Sequence, residues 1–317
     1  MHAIQYDRYG PPEVLTTVTL ADPEPGAGEA RVLLQAAGVA PLDTKLRAGL
    51  LQAHFAVRFP KIPGRDGVGV IDKVGAGVVG MAVGDQVCVV ADPHSAGTYA
   101  EAVVCVTGRM VARPRGLTTE QVAALMQPGL SAWIPVVEVA NIQPGMRVLV
   151  HGGAGAVGSL MIQLVRHLGA HVTSTCRSTN RDYVIGLGAH EAVAYDREDF
   201  STLRDLDVVF DLIGGDTHAR SYPVLRAGGH LVYLTAAPIV ERSSEFDVQV
   251  TRAMIADAPH AIKAVAQLAD AGVLRPQVAG VYALGAAADA HDALENGRVT
   301  RGRLVLRIAP DSIQANK

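Results

Sequence analysis

Three glycines spaced three residues apart, Gly152, Gly155 and Gly158, stand in the run Val150-His151-Gly152-Gly153-Ala154-Gly155-Ala156-Val157-Gly158. Gly153, Gly155 and Gly158 also satisfy the spacing G-x-G-x-x-G. A short apolar stretch, Arg147-Val148-Leu149-Val150, precedes the run. A helical pattern, Val157 to Leu168, follows it and ends at Gly169. Strand, glycine turn and helix in that order make a cradle for phosphate. One glycine permits the tight turn, another lets the backbone approach a pyrophosphate, and a third lets helix and strand pack closely. The helix N-terminus then presents free N–H groups. The expected chemistry is dinucleotide binding, with Gly152, Gly155, Ala156, Val157 and Gly158 as contacts. A glycine string alone is a weak signal, and its context is what separates it from an ordinary turn.

The choice of dinucleotide is read at the end of the second strand, about 20 residues on, where an acid would bind the ribose hydroxyls of NAD. Here the chain runs Ser174-Thr175-Cys176-Arg177-Ser178-Thr179-Asn180-Arg181, with no acid before Asp182. Arginines and hydroxyls are donors of the kind a 2′-phosphate wants, and guanidinium can grip phosphate bidentately. The reading is NADPH, with Arg177 or Arg181 and Ser178 at the phosphate. The competing reading leaves these arginines on a solvated helix start. The missing acid is the firmer half of the argument.

The elements that must position this motif follow from the pattern around it. Strands over His171 to Thr175, Asp207 to Asp211 and His230 to Leu234 alternate with helices, which predicts a parallel sheet with helices on both faces. Ahead of it the grammar is β-rich: apolar runs at Ala30 to Ala37, Val68 to Val74, Gln86 to Val90 and Tyr99 to Val106 alternate with Gly/Pro turns. Thr118-Thr119-Glu120-Gln121 reads as a capping box opening a helix. Pro128 and Gly129 are expected to interrupt that helix, and Leu130 to Val139 to resume it with Pro135 inside. The tail is expected to hold a helix from about Pro259 to Ala271, a strand at Val278 to Tyr282, a helix at Ala286 to Leu294 and a last strand at Arg303 to Ile308.

The chain has 317 residues, enough for about two domains. Hydrophobic residues make up 49% and charged residues 19%, which is a globular composition, and the net charge of −3 offers no basic patch for nucleic acid. Apolar stretches break well before the ~20 residues a bilayer needs. The start lacks a signal-peptide pattern, so a cytoplasmic protein is the expectation. Cys88, Cys105 and Cys176 form no CxxC pair and read as buried small side chains.

Several further stretches carry a family resemblance: Tyr9-Gly10-Pro11-Pro12-Glu13-Val14-Leu15, Pro63-Gly64-Arg65-Asp66-Gly67-Val68-Gly69-Val70, Val83-Gly84-Asp85-Gln86-Val87, Gly97-Thr98-Tyr99-Ala100-Glu101, Gly129-Leu130-Ser131-Ala132-Trp133, Leu187-Gly188-Ala189 and Thr300-Arg301-Gly302-Arg303-Leu304-Val305-Leu306. With the glycine motif they resemble the medium-chain dehydrogenase/reductase superfamily, in its zinc-independent quinone oxidoreductase (zeta-crystallin) branch. The resemblance implies an α/β fold: a doubly wound Rossmann sheet at 120–259 and a GroES-like β-barrel domain from 1–119 with 260–317. It implies a homodimer through the sheet edge near Phe246 to Val250. It places Tyr195 beside the adenine, Arg303 at the cofactor and Ser131 against the nicotinamide. The positions that hold a catalytic zinc in related alcohol dehydrogenases match Ala40, Arg65 and Pro128, none of them a metal ligand. The branch usually carries Asn where Ala40 stands and often Tyr where Lys45 stands, so their replacement weakens the case for simple quinones and leaves the substrate open.

Without a metal, the electrophile must already be activated, as a quinone or an α,β-unsaturated carbonyl is. Hydride adds to the electron-poor carbon while charge develops on the carbonyl oxygen. Donors aimed at that oxygen lower the barrier, and losing one can cost ~3 kcal/mol. Lys45, Arg65 and Ser131 are the candidates. Lys45 either meets the oxyanion or is a solvated charge; Arg65 either does the same or pairs with Asp66, the reading preferred here. Asp43 reads as a structural cap. Three functions follow: an NADPH-dependent enone or enoyl reductase, an NADPH:quinone oxidoreductase, or a non-catalytic NADPH-binding sensor.

Overall fold

The computed structural model describes residues 1–308 other than 54, 236–238, 240 and 256–257. The chain divides into two compact units: Met1–Gln127 with Asp257–Asp270 and Pro276–Lys317, and Pro128–Ala256 with Ala271–Arg275.

In chain order the first unit contributes β1 (His2–Gln5), β2 (Thr16–Thr19), β3 (Glu29–Gly38), α1 (Pro41–Arg47), β4 (Asp66–Val74), β5 (Gln86–Val90), β6 (Ala102–Val106), β7 (Met110–Ala112) and α2 (Thr119–Ala123). The helix α3 (Met126–Trp133) carries the chain into the second unit. There follow β8 (Arg147–Val150), α4 (Ala156–His167), β9 (His171–Cys176), α5 (Arg181–Gly186), β10 (Glu191–Ala194), β11 (Leu206–Asp211), α6 (Asp216–Ser221), β12 (Leu225–Tyr233), α7 (Ser243–Phe246) and β13 (Gln249–Arg252). The first unit is completed by α8 (Pro259–Asp270), β14 (Val278–Ala283), α9 (Ala287–Glu295) and β15 (Arg303–Arg307).

The sheet of the first unit runs β14-β15-β3-β4-β5-β7, with β6 on β3. Most of its pairings are antiparallel, while β14 and β15 are parallel neighbours joined through α9. Alternation along β3 puts Ala30, Val32 and Leu34 inward, against Ile71, Val87, Val89 and Val103. A second cluster gathers Ile4, Tyr6, Tyr99, Ala290 and Leu306.

The second unit is a six-stranded sheet in the order β10-β9-β8-β11-β12-β13, every pair parallel. Counted from β8, that is the 3-2-1-4-5-6 order of a doubly wound dinucleotide fold, whose switch point lies between β8 and β11. Val148, Leu149 and Val150 are fully buried, as a central parallel strand covered on both faces must be. Leu149, Val209 and Leu231 meet Phe200, Tyr222 and Val224 in its core.

Thr118 caps α2 as expected: its hydroxyl accepts from the Gln121 N–H at 3.2 Å, and the Gln121 side chain accepts from the Thr118 N–H at 2.9 Å. Two readings need correcting. Pro128 and Gly129 do not interrupt a helix but lie inside α3. Pro128 falls in its first turn, where a backbone N–H has no intrahelical acceptor to lose. Pro135 instead marks a π-helical turn, Ile134–Val139. The boundary set at 119/120 falls at Gln127/Pro128, because α2 packs on β3 and β4 of the first unit.

Candidate functional site

The glycine turn joins β8 to α4, and its glycines differ in what they allow. Gly152 takes φ +71°, a left-handed conformation that side chains disfavour. A Cβ on Gly153 would lie 2.0 Å from Ser174 Oγ, and one on Gly158 would lie 2.4 Å from the Gly152 carbonyl. These two permit close packing of turn, strand and helix. Gly155, the N-cap of α4, would meet only the Gly152 oxygen, at 3.4 Å, so its surroundings are open to a ligand. Ala156 and Val157 open the helix, where N–H groups point out unsatisfied by the helix itself.

The turn is anchored from behind. Ser174 Oγ donates to the Val150 carbonyl at 2.8 Å; the Gly152 N–H donates to Thr175 Oγ1 at 3.2 Å and the Gly153 N–H to the Thr175 carbonyl at 3.0 Å. His151 is buried between Thr175 Oγ1 and Ser221 Oγ, at 3.1 and 3.0 Å. Burial lowers its pKa to about 4, with Asp211 opposing and Arg220 and His218 assisting. On the other side of the switch point, Asp211 accepts the N–H groups of Ile213 and Gly214, both at 2.8 Å, and contacts His218 Nδ1 at 2.9 Å. Burial pushes the Asp211 carboxyl up, but these hydrogen bonds prevail and hold it below the usual carboxylate range. Sequence reasoning missed this support: neither His151 nor the Asp211–His218 pair belongs to a recognisable spacing.

The second-strand donors are drawn together, with an unforeseen occupant. Arg177 Nε donates to Tyr195 Oη at 3.1 Å. The Ser178 N–H and hydroxyl both donate to Asp196, each at 2.7 Å. Arg181 is clamped by both oxygens of Glu198, at 2.5 Å. Tyr195 is 52% exposed, so it is not a core aromatic. The acid missing before Asp182 therefore arrives from the turn after the following strand. The signal was register: β10 pairs with β9 as Ala194 with Cys176, which sets residues 195–196 beside 177–178.

In the first unit, Arg303 is not where the resemblance puts it. Its guanidinium is buried and takes both Asp66 oxygens at 2.6 Å, the Val39 carbonyl at 3.1 Å and the Ala123 carbonyl at 3.3 Å. Gly38 makes room, since a Cβ there would fall 2.2 Å from the guanidinium carbon. Asp66 therefore pairs with Arg303, which corrects the expected Arg65–Asp66 pair, and Arg65 Nε donates to the Ala91 carbonyl at 3.0 Å. Asp43 does serve as a cap, accepting the Ala40 N–H at 2.9 Å and the Tyr99 hydroxyl at 3.2 Å. Tyr99 also contacts His291 Nε2 at 3.2 Å. Burial raises the Asp43 carboxyl pKa, against the Ala40 hydrogen bond and the Arg303 charge, and lowers that of His291 to about 3. Lys45 stands exposed on α1; Ser131 is half-buried on α3 in the second unit. Cys88, Cys105 and Cys176 are all buried.

Residues 26–124 match the alcohol dehydrogenase GroES-like domain, and residues 187–306 match a family described as zinc-binding dehydrogenase. The chain is 30% identical to a quinone oxidoreductase of Pseudomonas aeruginosa over 96% of its own length and 98% of that protein's. It belongs to the quinone oxidoreductase type of medium-chain dehydrogenase/reductase. A 2-haloacrylate reductase of a Burkholderia species is also 30% identical, over 89% of this chain and 91% of that protein. Among solved structures, the Escherichia coli quinone oxidoreductase complexed with NADPH superposes with a TM-score of 0.88 at 26% identity, covering 97% of this chain and all of that one. As a member of this family the chain is an oxidoreductase.

Proposed function

We propose that this chain is an NADPH-dependent reductase that delivers hydride to an activated C=C or to a quinone without zinc. The observation that carries the reading is the glycine turn at the switch point of the 3-2-1-4-5-6 sheet, with Gly155 open above the first turn of α4. Dinucleotides bind at that place in this fold. When bound, NADPH supplies the hydride. Gly155 and the N–H groups of Ala156 and Val157 would hold its pyrophosphate, and Arg177, Ser178, Arg181 and Tyr195 would surround its adenosine end.

The residues present do not suit a catalytic zinc. Ala40, Arg65 and Pro128 stand at the matching positions, and none can ligate one. Among the described residues no three His, Cys, Asp or Glu side chains gather as a metal site. The chemistry then falls to hydrogen-bond donors and to positioning. Lys45 is the proposed donor to the developing oxyanion, and Ser131 the proposed contact to the nicotinamide. The names of the relatives favour two acceptor classes, an activated alkene and a quinone. Ala40 and Lys45, in place of the branch's usual Asn and Tyr, tilt the choice to the alkene. A cytoplasmic homodimer completes the reading, with β13 as the edge strand left to pair. Among the described residues no helix is long and apolar enough to cross a membrane.

The test is NADPH consumption by chelator-treated protein against a panel of enones and quinones. Turnover that survives chelation is expected, with enones the better acceptors. Activity that disappears on chelation and returns with zinc would refute the zinc-free mechanism.

A further inference from the structure

Every group expected to grip a 2′-phosphate already has a partner inside the chain. Ser178 is committed most fully, since its N–H and its hydroxyl converge on one carboxylate, that of Asp196. Those two hydrogen bonds, hydroxyl first, hold Asp196 below the usual carboxylate range, so it stays ionised at neutral pH. Its place is set by the backbone: the β9–β10 ladder continues through the Tyr195 N–H, which donates to the Cys176 carbonyl at 3.0 Å. Glu198 plays a different part. It accepts the Ala194 N–H at 2.9 Å and clamps Arg181, so it is tied to the end of the preceding strand, β10. Asp196 is exposed. Among the hydrogen bonds resolved for its side chain, only those from Ser178 would have to break for an anion to take its place.

We propose that Asp196 sets the coenzyme preference of this protein by occupying the anion cradle at Ser178, weakening its choice of NADPH over NADH. The proposal rests on the reading of the glycine turn as a dinucleotide site and concerns its adenosine end. A dinucleotide on the Gly152–Gly158 turn places its adenosine ribose at the end of β9, where Ser178 stands. A 2′-phosphate there must displace a carboxylate and then lie beside it, like charge against like charge. A ribose 2′-hydroxyl meets no such opposition and can donate to the same carboxylate. This is the contact that an acid at the end of the second strand usually supplies. Asp196 supplies it from the turn that follows the third strand.

The measurement is the dissociation constant of NADPH and of NADH, by coenzyme fluorescence titration, for the wild type, Asp196→Asn and Asp196→Ser. Removing one surface charge a few ångströms from a phosphate is expected to raise the ratio Kd(NADH)/Kd(NADPH) about tenfold. Adenosine 2′-monophosphate, which carries the 2′-phosphate without the nicotinamide half, should bind more tightly to the variants while adenosine 5′-monophosphate does not. Melting temperatures show that both variants are folded; the side chain is exposed, so little change is expected. A ratio within twofold of wild type, or one that falls, overturns the role of Asp196 while leaving dinucleotide binding intact. Failure of the wild type to bind either coenzyme overturns the dinucleotide reading itself, and this proposal with it.

Discussion

Replacing Arg303 by methionine separates two roles for one residue. In the structure the guanidinium serves the fold of the first unit: four acceptors surround it, two of them the Asp66 oxygens at 2.6 Å, and both side chains are at most 3% exposed. Methionine fills much of the same volume but leaves Asp66 a buried carboxylate with the Gln127 N–H at 2.9 Å as its remaining resolved hydrogen bond. Breaking a buried pair by removing one partner costs about 3–5 kcal/mol. For a unit of this size that lowers its melting temperature on the order of 10 °C. Replacing both partners, as Asp66→Asn with Arg303→Met, removes both charges and should recover a large part of the loss. Scanning calorimetry of the wild type, the two single variants and the double variant gives the coupling. NADPH titration of the same proteins, below their melting temperatures, should show little change in affinity. An Arg303→Met protein that melts like wild type but binds NADPH far more weakly would refute the argument. It would return Arg303 to the cofactor.

Gly158→Ala should destabilise the second unit by about 1–3 kcal/mol, since its Cβ has a backbone oxygen 2.4 Å away and no flexible side chain to push aside. Gly155→Ala should fold like wild type and lose NADPH affinity, because the space it fills is where the proposed pyrophosphate would lie; thermal melts and titrations on both proteins check this. His151 stays neutral when folded. Between its ordinary value of 6.5 and about 4 the unfolded chain takes up the proton more readily, so stability is complete above about pH 6.5 and falls as the pH drops towards 4. That loss is on the order of 3 kcal/mol, and calorimetry from pH 7 to 4.5 should find a shallower dependence in His151→Asn. Lys45→Ala should lower kcat about 100-fold with NADPH affinity unchanged; unchanged turnover would remove Lys45 from the mechanism.

Much of this protein is legible from local pattern. The strand-turn-helix around Gly152 to Gly158, the capping box at Thr118 and the two-residue alternation in β3 each depend on neighbours a few positions away. Steric and hydrogen-bonding rules of the backbone are enough to read them. The same rules misread Pro128, because whether a proline breaks a helix or opens one depends on where the helix begins. The identity of the fold was legible too, because a turn with that spacing serves few purposes between a buried strand and a helix.

What only the tertiary structure decided is which charges meet. Arg303 and Asp66 are 237 residues apart and lie beside each other because β15 pairs with β3 and β3 with β4. Asp196 reaches Ser178 across a register that no window of sequence displays. A basic or acidic residue carries no mark of its partner, since electrostatic attraction acts through space and the chain's path fixes the distance. The glycine turn could therefore be read from the order of residues, while the balance of charge beyond the end of β9 needed the fold.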